Sequence, residues 1–185
     1  MQSCLFLLIY VAATFVLSSC HQTNSRYDVL VYGSTPSGIQ AAISASLEGA
    51  SVALISQTAR IGGLVASGLG HTDKGTTAAI GGAAMKFFHD VCSGSASPPC
   101  WDFPPSRALA VFQRMLAEAP NVTLISQYTI ATATVVGTRL TSVTLNAAAR
   151  DSTHPTSLPS ITLSASYFID SSYEGDLIAA AGIQI

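Results

Sequence analysis

The chain has 185 residues, 49% of them hydrophobic and 10% charged, with a formal net charge of −2. That length supports one domain with a substantial core. The near-neutral balance and the lack of a basic run argue against a nucleic-acid partner, whose phosphate backbone calls for clustered Lys and Arg.

In chain order the first element is "CLFLLIYVAATFVLSSC", Cys4 to Cys20, apolar until Ser18. Its apolar core matches a signal-peptide h-region of about 7–15 residues and is short for a bilayer span of about 20. Residues 1–20 therefore read as a secretory signal, which places the rest of the chain outside the cytoplasm. "LSSC" also resembles a bacterial lipobox, in which Cys20 would be lipidated, and an uncleaved anchor is the third option. A membrane contact is expected only in those last two cases.

"DVLVYG", Asp28 to Gly33, is a short apolar run ending in glycine, the pattern of a buried strand. Pro36 then stands near a helix start, and Ile39, Ala42, Ile43 and Leu47 recur at helical spacing up to a stop at Gly49. "SVALIS", Ser51 to Ser56, is a second buried strand, completing a β–α–β unit with parallel strands. "ARIGGLVASGLGHTDKGTTAAIGG" is glycine-rich and poorly periodic, an extended loop with short helical pieces. "AAMKFFHDVC" reads as a helix with Met85, Phe88 and Val91 inward. "PPSRALAVFQRMLAEAP" is a stronger helix, with Leu109, Phe112 and Leu116 on one face and an Arg114–Glu118 pair on another. "NVTLIS" is a third parallel strand, and its Asn121-Val-Thr is a glycosylation acceptor where the host glycosylates. Two β-rich runs broken at Gly137, a Pro/Ser loop from Arg150 to Ser160, and "YFID" form an antiparallel meander. Its last strand returns to the parallel sheet.

Beyond the leader two cysteines remain, Cys92 and Cys100, around a short Gly/Ser/Pro loop. A disulfide and a pair of free thiols are both open, because spacing does not give geometry.

The chemistry concentrates in three places. A strand ending in a glycine turn that opens a helix is an anion site, since first-turn N–H groups and the helix dipole favour negative charge. Gly33 and Gly38 hold the outer places of G-x-G-x-x-G, with Thr35 in the middle one. At the end of the second strand, where dinucleotide sites place an acid for the ribose hydroxyls, stand Ser56 and Gln57. Each can hydrogen-bond a hydroxyl, but neither is a carboxylate. Third, the pair Gly62 and Gly63, preceded by Arg60, lets backbone pass close under a pyrophosphate whose charge Arg60 could neutralise.

Taken together, "YDVLVYGSTPSGIQAAISASLEGASVALI", "IGGLVASGLGHTD", "IGGAAMKFFHDV", "RALAVFQRMLAE" and "FIDSSYEGDLIAAAG" resemble the FAD-dependent oxidoreductases whose turn reads G-G-T-P-[AG]-G-I. Thr35-Pro36 matches that variant. The resemblance implies an α/β, Rossmann-like FAD-binding domain over 27–185, a central parallel sheet plus a small antiparallel meander, incomplete relative to the family. It implies that Gly33, Thr35, Pro36, Ser37 and Gly38 carry the FAD pyrophosphate. Ser56 falls where the family has its ribose-binding Glu, with Gln57 beside it. By the same resemblance Arg60, Gly62 and Gly63 would lie along the pyrophosphate toward the flavin, Ile130 would meet the adenine, and Asp170 and its successors would return the chain to the cofactor. Family members continue past this ending into a substrate-facing domain, so a fragment or truncated product is expected.

The activity implied is oxidation of a small organic substrate by hydride transfer to flavin. His71 and Asp73 stand as candidates to face the flavin or the substrate, with a plain surface role as the alternative. His89 reads as helix surface and His154 as loop. Glu174 and Asp176 belong to a cluster read as capping the helix that follows. No zinc spacing and no nucleophile elbow is present. A nicotinamide-dependent Rossmann enzyme and a vestigial nucleotide-binding protein are the alternatives.

Overall fold

The computed structural model describes residues 25–92, 97–148 and 158–183. The leader with Cys20, His154 and most of the 150–160 loop lie outside these residues. In chain order the elements are β1 (Ser25–Tyr32), α1 (Pro36–Leu47), β2 (Val52–Ser56), α2 (Gly63–Ser67), a single 3-10 turn (Thr77–Ala79), α3 (Gly82–Asp90), α4 (Pro105–Ala117), β3 (Val122–Ser126), β4 (Tyr128–Val136), β5 (Arg139–Ala147), β6 (Ile161–Asp170) and α5 (Asp176–Ala180).

The strands form one sheet in the order β3-β2-β1-β6-β5-β4. β1 runs parallel to both β2 and β6, and β2 runs parallel to β3. β4, β5 and β6 are antiparallel neighbours. The fold is thus the α/β arrangement that the sequence implies, and β6 belongs to both halves. Gln127, at φ +65°, makes the corner between β3 and β4 in one residue.

Alternation along the strands builds two cores, because successive side chains point to opposite faces. Val31, Val52 and Leu54 face the helices and pack with Ile39, Ile43, Phe87, Val111, Phe112 and Met115. Leu30, Tyr32, Ala53 and Ile55 face the other way and pack with Tyr128, Val143, Leu145, Leu163 and Leu177. The meander is therefore a third layer, folded over the face of the parallel strands that the helices leave open.

Helix ends follow local chemistry. α1 stops at Gly49 (φ +88°), where Gly49 N–H donates to Ser46 O (3.0 Å) and Ala50 N–H to Ala45 O (3.1 Å). These two bonds satisfy carbonyls that the last turn would otherwise leave open. Helix faces are rotated from the expected ones in three places. Leu47 is 72% exposed, because Ser46 faces inward and accepts a hydrogen bond from Asn121 N–H (3.2 Å). In α3 Phe87 is buried while Met85 and Phe88 are half-buried, since Phe87 stacks on Phe112 of α4. The inward stripe of α4 is Ala108, Val111, Phe112 and Met115, leaving Leu109 and Leu116 at its margin. Arg114 makes its short ion pair with Asp90 (2.9 Å), and Glu118 lies at 4.0 Å.

Cys92 and Cys100 form a disulfide that closes the loop between α3 and α4. Among the described residues no helix is long and apolar enough to cross a membrane, and no group of His, Cys, Asp and Glu is arranged to hold a metal ion.

Candidate functional site

The carboxyl ends of β1, β2 and β6 meet at the turn into α1. Gly33 (φ +104°) is needed there twice over: its conformation suits glycine, and an added Cβ would lie 2.6 Å from the backbone of Ser171. A Cβ on Gly38 would lie 1.9 Å from the Gly33 carbonyl oxygen. Between them Thr35 is the helix cap. Its Oγ1 accepts from Gly38 N–H (3.3 Å), sits 3.0 Å from Ser37 Oγ, and donates to Ser171 O (2.9 Å). The threonine thus binds the turn to the end of β6. Pro36 occupies the first helical position, and no acidic residue stands in the first turn of α1. The positive end of the helix dipole is left uncompensated, which suits an anion.

The glycine pair lies against this turn. Gly62 N–H donates to Ser34 O (2.8 Å), and a Cβ on Gly63 would come 3.4 Å from Thr35 Cα and 2.3 Å from the Tyr173 hydroxyl. That hydroxyl accepts from Leu64 N–H (2.9 Å). Arg60 is exposed, and its Nε donates to Ala66 O (2.8 Å), so its side chain is tied to α2 and not to the turn.

The end of β2 differs from the sequence reading. Ser56 is fully buried, its Oγ 2.7 Å from Ser34 Oγ and donating to Thr58 O (2.8 Å). Enclosed and already paired, it has no surface to offer a ribose. Gln57 is tied as well: its Nε2 donates to Tyr32 Oη (2.9 Å) and to Asp176 Oδ2 (2.7 Å). Tyr32 Oη also accepts from Ile130 N–H (3.3 Å), the backbone group expected to meet an adenine. Burial raises the Tyr32 phenol above its ordinary pKa, against the pull of the Gln57 and Ile130 hydrogen bonds, so it remains a neutral phenol.

Asp170 brings the chain back to the turn, since Ser171 N–H donates to Tyr32 O (2.7 Å). Its carboxylate is spent locally, accepting from Ser172 N–H (2.9 Å), Ser172 Oγ (2.7 Å) and Ile178 N–H (3.0 Å). Burial pushes its pKa up, but these hydrogen bonds outweigh burial and the net shift is downward.

A cleft of about 690 Å³ opens from the turn. Thr35, Pro36 and Ser37 line one end, and Leu64, Val65, Phe87, Phe88, Phe103, Phe112 and Met115 give it an apolar wall. His71, Thr72 and Asp73 line it too, and they also line a smaller cleft of about 390 Å³. His71 Nδ1 is bonded to Asp102 Oδ1, and both side chains are largely exposed. Of the residues expected in the site, the cleft unites Thr35, Pro36, Ser37, His71 and Asp73, with Gly63 adjoining. It does not include Ser56, which is enclosed, or Asp170, which is half-buried beside the turn. Sequence reading missed Asp102, Phe112 and Tyr173 as site residues. Only Tyr173 carried a signal, its place in the motif after β6.

The glycine turn, the parallel sheet with its meander, and the cleft define a Rossmann-like dinucleotide-binding domain of the flavoprotein kind. The sequence matches the model of the FAD dependent oxidoreductase family over residues 28–185, and the chain belongs to that family, whose cofactor is FAD. No curated protein matches it at a significant level. Among solved structures it is similar to THI4 of Thermovibrio ammonificans (TM-score 0.59, 16% identity, 88% of this chain and 66% of that one). It is also similar to a geranylgeranyl bacteriochlorophyll reductase-like protein of Thermoplasma acidophilum (0.59, 16%, 86% and 43%) and to p-nitrophenol 4-monooxygenase PnpA of Pseudomonas putida DLL-E4 (0.58, 10%, 85% and 44%). At these identities the likeness is one of fold. The chain spans from 43% to 66% of the length of these three structures.

The residues present fit the cofactor. Small backbone at Gly33, Gly38 and Gly63 keeps the turn compact, α1 presents an uncompensated positive end, and the adjoining wall is apolar.

Proposed function

We propose that this chain is the FAD-binding part of an oxidoreductase that oxidises a small organic substrate by hydride transfer. The observation that carries the reading is the continuity of the anion-favouring turn at Thr35–Ser37 with the apolar cleft beside it. The bound flavin would supply the two-electron acceptor. The first turn of α1 would hold the pyrophosphate, and Gly62 and Gly63 would let the backbone lie low beside it. Leu64, Phe87, Phe88 and Phe112 would give the flavin an apolar wall. His71, hydrogen-bonded to Asp102 and lining the cleft, is the candidate to take up the substrate's proton.

The partner is a small molecule. Nucleic acid is not expected, and membrane contact would come only through a lipidated Cys20 or an uncleaved leader. An extracytoplasmic location is supported by the Cys92–Cys100 disulfide, which persists in oxidising compartments.

The test is spectroscopic. The full chain, produced in an oxidising compartment, is expected to carry or take up FAD, with bands at about 375 and 450 nm that belong to the flavin itself. A colourless protein that also fails to take up added FAD would overturn the proposal.

A further inference from the structure

We infer that Asp176 is the residue that accepts the hydroxyls of the adenosine ribose, and that Gln57 positions it. The inference rests on the FAD reading above. A ribose presents two hydroxyl donors, and a carboxylate is their strongest acceptor. β2 offers none: it has no acidic residue, and the hydroxyl of its last residue, Ser56, is enclosed between Ser34 and Thr58. Asp176 arrives there from the start of α5, with its Oδ2 2.7 Å from Gln57 Nε2, next to the residue that ends β2.

Two observations separate this carboxylate from a merely structural one. First, α5 does not need it as a cap. Ser172 Oγ already accepts from Gly175 N–H (3.0 Å) and Asp176 N–H (2.9 Å), and Asp170 Oδ2 accepts from Ile178 N–H (3.0 Å). Those bonds fix the backbone at position 176 and leave the side chain for other work. Second, only Oδ2 is engaged: Oδ1 of this half-buried residue accepts no hydrogen bond among the described residues. Gln57 is held in turn by Tyr32 Oη, which Ile130 N–H fixes from β4. The negative charge missing from β2 is thus restored from a segment 119 residues away in sequence.

The test is binding, read by flavin fluorescence on the full chain. Two ligands are compared, FAD and an FAD analogue whose adenosine lacks the 2′ and 3′ hydroxyls. Asp176→Asn is expected to weaken FAD binding about tenfold or more, the loss typical of a hydrogen bond to a charged group. For the analogue, variant and wild type should bind alike. Gln57→Leu should show the same pattern to a smaller degree, and Asp176→Glu should recover part of the affinity. An equal loss for both ligands, or no loss for FAD, would overturn the assignment, and circular dichroism of the variant identifies a loss that comes from misfolding. Wild-type protein that binds neither ligand would instead overturn the FAD reading, and this inference with it.

Discussion

The turn that begins α1 and the end of β2 lie one strand apart, yet they are built in opposite ways. At the turn almost everything comes from neighbours in sequence. Gly33, Thr35, Pro36 and Gly38 set the path, and Thr35 caps the helix that follows it. At the end of β2 the residue expected to act, Ser56, is withdrawn into the core. The polar contacts there are assembled from β1, β4 and α5 through the buried Tyr32 and the half-buried Ile130 and Asp176. A backbone site is therefore specified locally, whereas a side-chain site can be moved to a remote segment provided a relay such as Gln57 holds it.

The largest effect should come from breaking the local half. In Gly38→Val the new Cβ would sit 1.9 Å from the Gly33 carbonyl, which must then shift against the end of β6. A destabilisation of about 3 kcal/mol or more is expected, at or beyond the upper end for overpacking, together with loss of FAD uptake. Thermal melts and flavin fluorescence read the two. Unchanged uptake would remove the pyrophosphate from this turn.

A smaller effect tests the remote half. Tyr32→Phe keeps the packing but deletes the oxygen that accepts from Gln57 Nε2 and Ile130 N–H. Leaving part-buried donors unpaired costs about 1–2 kcal/mol, measurable as a lower urea midpoint. A neutral outcome would mean that the relay between β2 and α5 is slack, and the contrast between the two ends would weaken.

The same division explains what the sequence could reveal. The β–α–β unit, the parallel β3, the break at Gly137 and the return of β6 follow from local periodicity and glycine placement, and all were legible. Helix faces were legible only approximately. Leu47 obeys the α1 spacing but lies one position past Ser46, whose hydroxyl meets Asn121, and only tertiary packing decides between them. Phe87 and Phe88 are adjacent aromatics that no period separates until Phe112 stacks on one of them. In the site, the glycines and the Thr-Pro cap were legible because their roles are backbone roles. The burial of Ser56 was not, because its partner Ser34 comes from a different loop. Asp176 was legible as part of a capping cluster, but its contact with Gln57 spans most of the chain.

The smallest effect concerns Asp170, which stands between the two halves: it ends β6 beside the turn and holds the start of α5, which carries Asp176. Its pKa is lowered from the ordinary 3.8, with burial opposed and outweighed by hydrogen bonds from Ser172 and the α5 backbone. A carboxyl whose folded pKa lies below its unfolded one binds fewer protons when folded. Its contribution is therefore complete above the unfolded value of 3.8 and is lost as pH falls through the lower folded value. Asp28 and Asp90 are shifted in the same direction, so the acid limb of wild-type stability does not isolate Asp170. The difference between wild type and Asp170→Asn does. That variant should be less stable near neutral pH, and the gap in urea midpoint should narrow as pH is taken below 3.8, because protonated Asp170 resembles the amide in charge. A gap independent of pH would mean that the hydrogen bonds matter only for their geometry. In that case Asp170 would hold α5 as a neutral cap could, and the carboxylate would add no electrostatic link between the two ends of the site.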